Sequence, residues 1–263
     1  MNRPRNRRRL LALGGVMAAL VAAVALLTVM RWSSPLDRPS AVPSNPVGQG
    51  HAVPSAPAGP AQAVPPASAD QATPDMDLRG WRWADYRGVR LPYSSADGPR
   101  VVAGDRAYGF APTPGGAVLA ALHLGMRASP RWGPAVFEPT ITEQFTGPET
   151  PALLRAVRAT YDSVRAVAGV ADGEPIGLAY VVVEAFRWQA YAPGLAIVDV
   201  VMAGPGRGGT TVRAATRMQL LWRDGDWRVV APPGGDWART SAVVTDLTGY
   251  TLFPASARGQ AAR

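Results

Sequence analysis

The first pattern along the chain is a block. Residues Leu10 to Met30 are 21 uncharged, mostly apolar positions in a row. At about 1.5 Å rise per residue a helix of that length covers about 30 Å, the hydrocarbon thickness of a bilayer. Arg3, Arg5, Arg7, Arg8 and Arg9 precede the block without an acid among them, and Arg31 and Trp32 follow it. This bias predicts a cytoplasmic N-terminus and an extracytoplasmic remainder. A cleaved signal peptide would have an apolar region of about 7–15 residues ending in a small-x-small site. Ala23-Val24-Ala25 fits such a site, but Leu26 to Met30 carry the apolar run past it, so a retained single-pass anchor is expected.

The pattern then disappears. Ser33 to Asp77 holds ten prolines in 45 residues, set among Ala, Ser, Gly and Gln. Such a segment buries too little apolar surface to offset its ordering entropy and predicts a disordered spacer. Periodicity returns near Leu78. Thr113-Pro114 places a hydroxyl cap and a proline where a helix starts. Val118, Leu119, Leu122 and Met126 then repeat at helical spacing up to Pro130. A weaker helical stretch, Ala135 to Phe145, is interrupted by Pro139. Thr150-Pro151 repeats the capping pattern before the clearest amphipathic helix, with Leu153, Leu154, Val157, Tyr161, Val164 and Ala168 on one face and Gly169 at its end.

After Gly173 the period becomes two. Ile176 to Tyr191 and Leu195 to Met202 read as strands joined by a turn, and the GPGRGG loop at 204–209 leads to a third strand, Thr210 to Arg223. This third strand alternates cleanly: Val212, Ala214, Thr216, Met218, Leu220 and Trp222 fall on one face, with Arg213, Arg217, Gln219 and Arg223 on the other. Asp224-Gly225 returns the chain into DWRVV, a strong hairpin signal. The organisation expected is a basic tail (1–9), a transmembrane helix (10–30), a Pro/Ala-rich linker (31–77), an α+β domain (78–255) and a frayed tail (256–263).

Composition narrows the chemistry. The absence of cysteine excludes disulfides, thiolate metal sites and a cysteine nucleophile. Two histidines, His51 and His123, are too few for a His-rich metal site, and no cofactor is expected. The net charge of +8 includes the five N-terminal arginines, so no direct nucleic-acid binding is expected of the domain.

The helices-then-sheet order, closed by LLWRDGDWRVV, resembles the cone-shaped superfamily named after nuclear transport factor two. The layout of basic tail, membrane helix, linker and such a domain resembles the VirB-type and TcpC-type bitopic proteins of conjugative and type IV secretion machines. The segments GWRWADYRGVRLPYS, GFAPTPGGAVLAALHLGMR and ALLRAVRATYDSVRA are similar to uncharacterised actinobacterial membrane proteins linked to integrating conjugative plasmids. The resemblance implies a bent antiparallel sheet wrapped around a helix and a non-catalytic scaffold role. Its expected partners are the lipid bilayer and either a second copy or other envelope proteins. It brings no catalytic residues.

The alternative is a tethered small-ligand binder, or an isomerase- or dehydratase-like enzyme using the cone. A carboxylate in an apolar pocket has a raised pKa and acts as a base near neutrality. Glu184 falls among Leu178, Tyr180, Val182, Phe186 and Trp188 in the strand alternation, and Asp199 falls in line with Leu195, Ile197 and Val201. A register bulge would expose either acid to pairing with Arg213 or Arg217. His123, Tyr180 and Glu184 are the pocket candidates. Trp81, Trp83, Tyr86, Arg213 and Arg217 are the candidate interaction surface. The N-terminal pattern carries its own test: alkaline phosphatase fused after Arg263 should be active only if the C-terminus is exported. Activity of a cytoplasmic reporter at that position would reverse the orientation.

Overall fold

The computed structural model describes residues 74–254. The leading element is a hairpin, β1 (Arg82–Tyr86) and β2 (Val89–Tyr93), followed by a shorter one, β3 (Val101–Ala103) and β4 (Arg106–Tyr108). Three helices come next: α1 (Pro114–Arg127), α2 (Pro134–Gln144) and α3 (Thr150–Ala168). A two-residue strand, β5 (Phe145–Thr146), lies between α2 and α3. The remaining strands are β6 (Val182–Ala192), β7 (Leu195–Pro205), β8 (Thr211–Arg223), β9 (Asp226–Val230), β10 (Ser241–Val243) and β11 (Thr251–Leu252). With β5 they form one seven-stranded sheet in the order β11-β6-β7-β8-β9-β5, β10 pairing with β8.

The centre of the fold is α1. Gly115 through Leu124 are all buried, as are Met126 and Arg127. A helix that is apolar on every side belongs inside, and this one is covered by β2 and β4 on one side and by β7, β8 and β9 on the other. Its start follows the sequence closely. Thr113 Oγ1 accepts from Gly116 N at 3.0 Å and donates to Asp97 Oδ1 at 2.7 Å, with Pro114 in the first turn. Small residues admit its neighbours. A Cβ on Gly116 would lie 2.0 Å from the Ala111 carbonyl oxygen, and one on Gly125 would lie 2.5 Å from Met218 Cε.

The other helices depart from simple expectation. Thr150 does not cap α3 through its acceptor: its hydroxyl donates to the Gly147 carbonyl at 2.9 Å, and Glu149 takes the cap position. Gly169 ends α3 in the left-handed region at φ 69°, where a Cβ would be strained. Pro139 lies inside α2 without dividing it.

The expected fold class requires correction. The domain is mixed α/β with a large sheet, and it does not run helices first: two hairpins precede α1. Nor is the sheet a purely antiparallel cone wall, because β5 pairs parallel to β9, Phe145 opposite Val229 and Thr146 opposite Val230. The chain leaves α2 beside the sheet edge, and Ala231 N donates to Thr146 O at 2.9 Å, so a single short ladder closes β9 there. Among the described residues no helix is long and apolar enough to cross a membrane. The segment Leu10 to Met30, the proline-rich stretch before Pro74 and the tail after Pro254 lie outside the described residues.

The strand β6 also begins later than alternation suggested, at Val182 instead of Ile176, and its register shifts between Val183 and Ala185. One extra residue sends the following side chains to the opposite face. Leu178, Tyr180 and Val182 are therefore exposed, while Val183 and Phe186 are in the core.

Residues 241–252 cross the sheet from one edge to the other. β10 pairs with β8 at Ala214 to Thr216, and β11 pairs with β6 at Ala185 and Phe186. Between them Val244, Leu247 and Tyr250 cover Ala185, Val201 and Ala215 on the sheet face opposite α1. Phe253 then turns inward and is fully buried, 6.0 Å from Trp81 and 5.1 Å from Phe186 between ring centroids. The close approach at α1 gives a direct test. Gly116→Ala should destabilise the protein by about 1–3 kcal/mol in urea unfolding, whereas Gly80→Ala, whose Cβ would meet nothing within 4 Å, should leave the midpoint unchanged. An unchanged midpoint in Gly116→Ala would mean that α1 does not pack on the Ala111 backbone.

Candidate functional site

Two groups of polar side chains stand out, one on each side of the sheet. On the outer face, Asp199 of β7 lies directly opposite Arg187 of β6 and Arg217 of β8. Cross-strand neighbours of this kind meet on one face of a sheet. Arg217 Nε donates to Asp199 Oδ1 at 2.8 Å and Arg187 Nη2 to Oδ2 at 3.0 Å, while Gln189 Nε2 adds a third bond to Oδ2 at 2.8 Å. The hydrogen bond to Asp199 holds the Arg217 guanidinium above its ordinary pKa. Arg187 also stacks on Tyr250, 4.4 Å from the ring centroid, which ties the network to the crossing segment.

Glu184 makes a second network on the same face. The β6 bulge turns it toward β8, where Arg213 Nε and Nη2 donate to its two oxygens at 2.6 and 3.2 Å. Glu184 and Asp199 are both buried, and each holds arginine in a two-point bond. Paired charges of this kind resist removal of one partner because the other would be left buried and uncompensated.

The inner group belongs to α1. His123 is fully buried; its Nε2 lies 2.8 Å from the Pro92 carbonyl oxygen, and its Nδ1 lies 3.0 Å from Arg127 Nη1. A carbonyl needs a donor and a guanidinium needs an acceptor, so the neutral imidazole carries its proton on Nε2. Burial first, and the Arg127 charge second, push the His123 pKa from 6.5 to about 3. Arg127 Nε donates to the Asp105 carbonyl at 2.8 Å, and its guanidinium covers the Tyr86 ring at 4.1 Å. Burial lowers the Arg127 pKa as well.

The structure separates the candidate pocket residues. His123 lies between α1 and β2, Glu184 lies on the outer face with Arg213, and Tyr180 is 62% exposed before β6 begins. No shared acid/base group forms from them. The candidate surface is corrected too. Trp81 and Tyr86 are buried, and Trp83 is partly buried, edge-on to Phe253 at 5.7 Å. Trp81 and Trp83 pack on Phe253, and Tyr86 lies under Arg127. Arg213 and Arg217 remain at the surface, the Arg217 side chain 51% exposed. Among the described residues no group of three or more His, Asp or Glu side chains is placed to hold a metal ion.

The sequence reading missed Asp226, whose carboxylate accepts from Gly109 N at 2.8 Å and Phe110 N at 3.1 Å. Its neighbour Trp227 donates from Nε1 to the Ala111 carbonyl at 2.8 Å. The hairpin turn after β8 thus pins the chain entering α1. Arg127 was missed as well, although its place four residues after His123 on an otherwise apolar helix marks it.

A family model described as a domain of unknown function, DUF8175, matches residues 41–252. The chain belongs to the DUF8175 family. No curated protein and no solved structure matches it. The DUF8175 match carries no link to the nuclear-transport-factor-two superfamily, to conjugation proteins or to plasmids. It does extend upstream of Pro74, so sequence shared across DUF8175 includes part of the proline-rich stretch.

The buried imidazole gives this domain a measurable pH signature. Below pH 6.5 the unfolded chain binds a proton at His123 that the folded chain refuses until about pH 3. The contribution is complete above pH 6.5 and is lost as the pH falls, by up to about 1.4 kcal/mol per unit. Stability measured by urea unfolding between pH 6 and 4 should therefore fall less steeply in His123→Gln than in the parent. Equal slopes would place the titration elsewhere.

Proposed function

We propose that the domain is a non-catalytic scaffold that works by contact through the outer face of its large sheet. Its partner is a second copy or another protein of an envelope assembly. One observation carries the reading: Trp227, Tyr161, Phe110, Phe137 and several leucine side chains are fully buried and fill the interior of the domain. The two acids that the enzyme alternative would use, Glu184 and Asp199, are bonded to arginines on the outer face, which favours the scaffold reading.

The outer face has the features of a contact surface. Arg217 and Arg187 are exposed at their sides and held in place by Asp199, while Gln219 and Arg223 are exposed beside them. Arginines already fixed by an acid lose less side-chain freedom when a partner arrives, and arginine is enriched at interfaces. The conjugation or type IV secretion setting draws its support from the order of basic tail, apolar block and proline-rich stretch at the start of the sequence, which resembles that of bitopic proteins of such machines.

The test is a photo-crosslinking amino acid placed at Gln219 of the full chain in native membranes, with Ala159 on the exposed side of α3 as the control. Position 219 should yield a discrete adduct, identified by mass spectrometry as a second copy or a distinct protein, and position 159 should not. No adduct from 219 or from Arg223 would remove the scaffold reading.

A further inference from the structure

The crossing segment covers only one end of the outer sheet face. Val244, Leu247 and Tyr250 lie over Ala185, Val201 and Ala215, and Arg187 stacks on Tyr250 at the boundary. Beyond that boundary β7 and β8 stay paired as far as Leu195 and Leu221. Period-two alternation places Leu195 and Ile197 on the face of Asp199, because Ala196 and Val198 belong to the core. Leu221 shares that face, since Leu220 is a core residue and the β7-β8 ladder has no register shift. Leu195 lies directly opposite Leu221, and Ile197 opposite Gln219. All three apolar side chains are half-buried and belong to neither apolar cluster of the domain.

The charges around this patch are sorted by depth. The acids of the face, Glu184 and Asp199, are 7% and 4% exposed. Its arginines reach solvent: the Arg187 and Arg217 side chains are 41% and 51% exposed, and Arg223 is exposed too. Glu184 answers Arg213, and Asp224 in the turn faces Arg228 at 3.9 Å. Asp199 answers both Arg187 and Arg217, so one of those two charges is in excess. Arg223 enters no ion pair among the described residues. The apolar patch is thus bordered by positive charge that no described acid matches. An apolar centre with a polar rim is the layout of a protein contact, and complementary charge directs the encounter.

We propose that this end of the outer face binds an acidic segment of a different protein, one that places apolar side chains over Leu195, Ile197 and Leu221 and carboxylates against Arg217 and Arg223. Carboxylates suit arginine because the planar guanidinium meets both oxygens. Arg217 and Arg223 are six residues apart on one strand, which sets the two carboxylates about 20 Å apart. A second copy is the poorer match. Its Glu138, Asp162 and Asp172, which gather beside α3, are already shared between Arg158 and Arg165. The chemistry of the partner is the added step; that this face makes contacts at all rests on the scaffold reading.

The test uses the full chain in native membranes, with the photo-crosslinking amino acid at Gln219, opposite Ile197. The adduct should form with a different protein and should fall by about tenfold in Arg223→Glu and on raising the salt. Arg82→Glu, at an exposed position of β1, should leave it unchanged. A defined competitor is acetyl-Glu-Ser-Leu-Ser-Leu-Ser-Glu amide. Extended, it carries both carboxylates and both leucines on one face. It should suppress the adduct, and the same peptide with Gln in place of Glu should not. This competition needs no charge variant, so it decides the matter even if Arg223→Glu fails to fold. An adduct with a second copy, or one indifferent to either Arg223→Glu or the competitor, would overturn the acidic partner and leave the scaffold reading standing. An adduct with lipid alone, or none, would remove both.

Discussion

Complete burial of α1 is the constraint on which the rest of the domain depends. A helix with one apolar stripe needs one partner layer, but a helix buried all round needs two. The hairpins β1-β2 and β3-β4 supply the second layer, which is why they precede the helices and do not lie in the main sheet. The same constraint sets residue size along α1. Gly116 meets the Ala111 backbone and Gly125 meets the Met218 side chain, so neither position admits even a methyl group without movement. It also decides where the polar groups go. His123 and Arg127 cannot reach solvent, so they bond the carbonyls of Pro92 and Asp105, one on β2 and one on the β3-β4 turn. Two polar side chains thus tie both hairpins to the helix they cover.

The opposite face of the sheet follows a different rule. It carries charge, and charge on a sheet is stable when each buried acid has its cation. Asp199 meets that condition with arginines of both neighbouring strands, and Glu184 of β6 meets it with Arg213 of β8, two strands away. The crossing segment then covers the small residues Ala185, Val201 and Ala215 that lie beside these pairs. By pairing with β8 at one end and β6 at the other, it also occupies stretches of strand edge that would otherwise invite pairing with another chain. Phe253 anchors its end in the core beneath Trp81. The aromatic entry of the domain and its last described turn are therefore one packing unit, although they lie far apart in the sequence.

What the sequence made legible were features fixed locally. Thr113-Pro114 starts α1, Gly169 ends α3, and Asp224-Gly225 forms the turn between β8 and β9. The alternation of Thr211–Arg223 separated Met218 and Leu220 from Arg213 and Arg217 because β8 runs without a register shift against β7. β6 has two such shifts, and alternation counted through the first assigned Glu184 to the wrong company. A bulge leaves no reliable mark in residue type, since any side chain can occupy it. The parallel pairing of β5 was invisible for another reason. Two residues, Phe145 and Thr146, are too few to show a period, and their partner is some 80 positions away. The burial of Trp81 and Tyr86 likewise depends on Phe253 and Arg127, which no local pattern connects to them.

The distribution of satisfied and unsatisfied groups then separates structure from action. A catalytic acid or base works by gaining or losing a proton during the reaction, so its bonds to the protein must leave one site open. Glu184 is held at both oxygens by Arg213, and Asp199 is held by two arginines and Gln189. His123 is bonded at both nitrogens and stays neutral far below physiological pH. Each of these groups is committed to holding one element against another. Gln144 and Arg106 are the contrast: each bonds a neighbour, Ala107 or Glu143, through one nitrogen and keeps a second buried polar atom without a partner among the described residues. Buried polar atoms left in this way cost stability. Tyr86 Oη, Arg127 Nη2, Arg187 Nε and Trp188 Nε1 share that condition, so the unmet polar atoms of the described residues are spread through the domain and not gathered at one place.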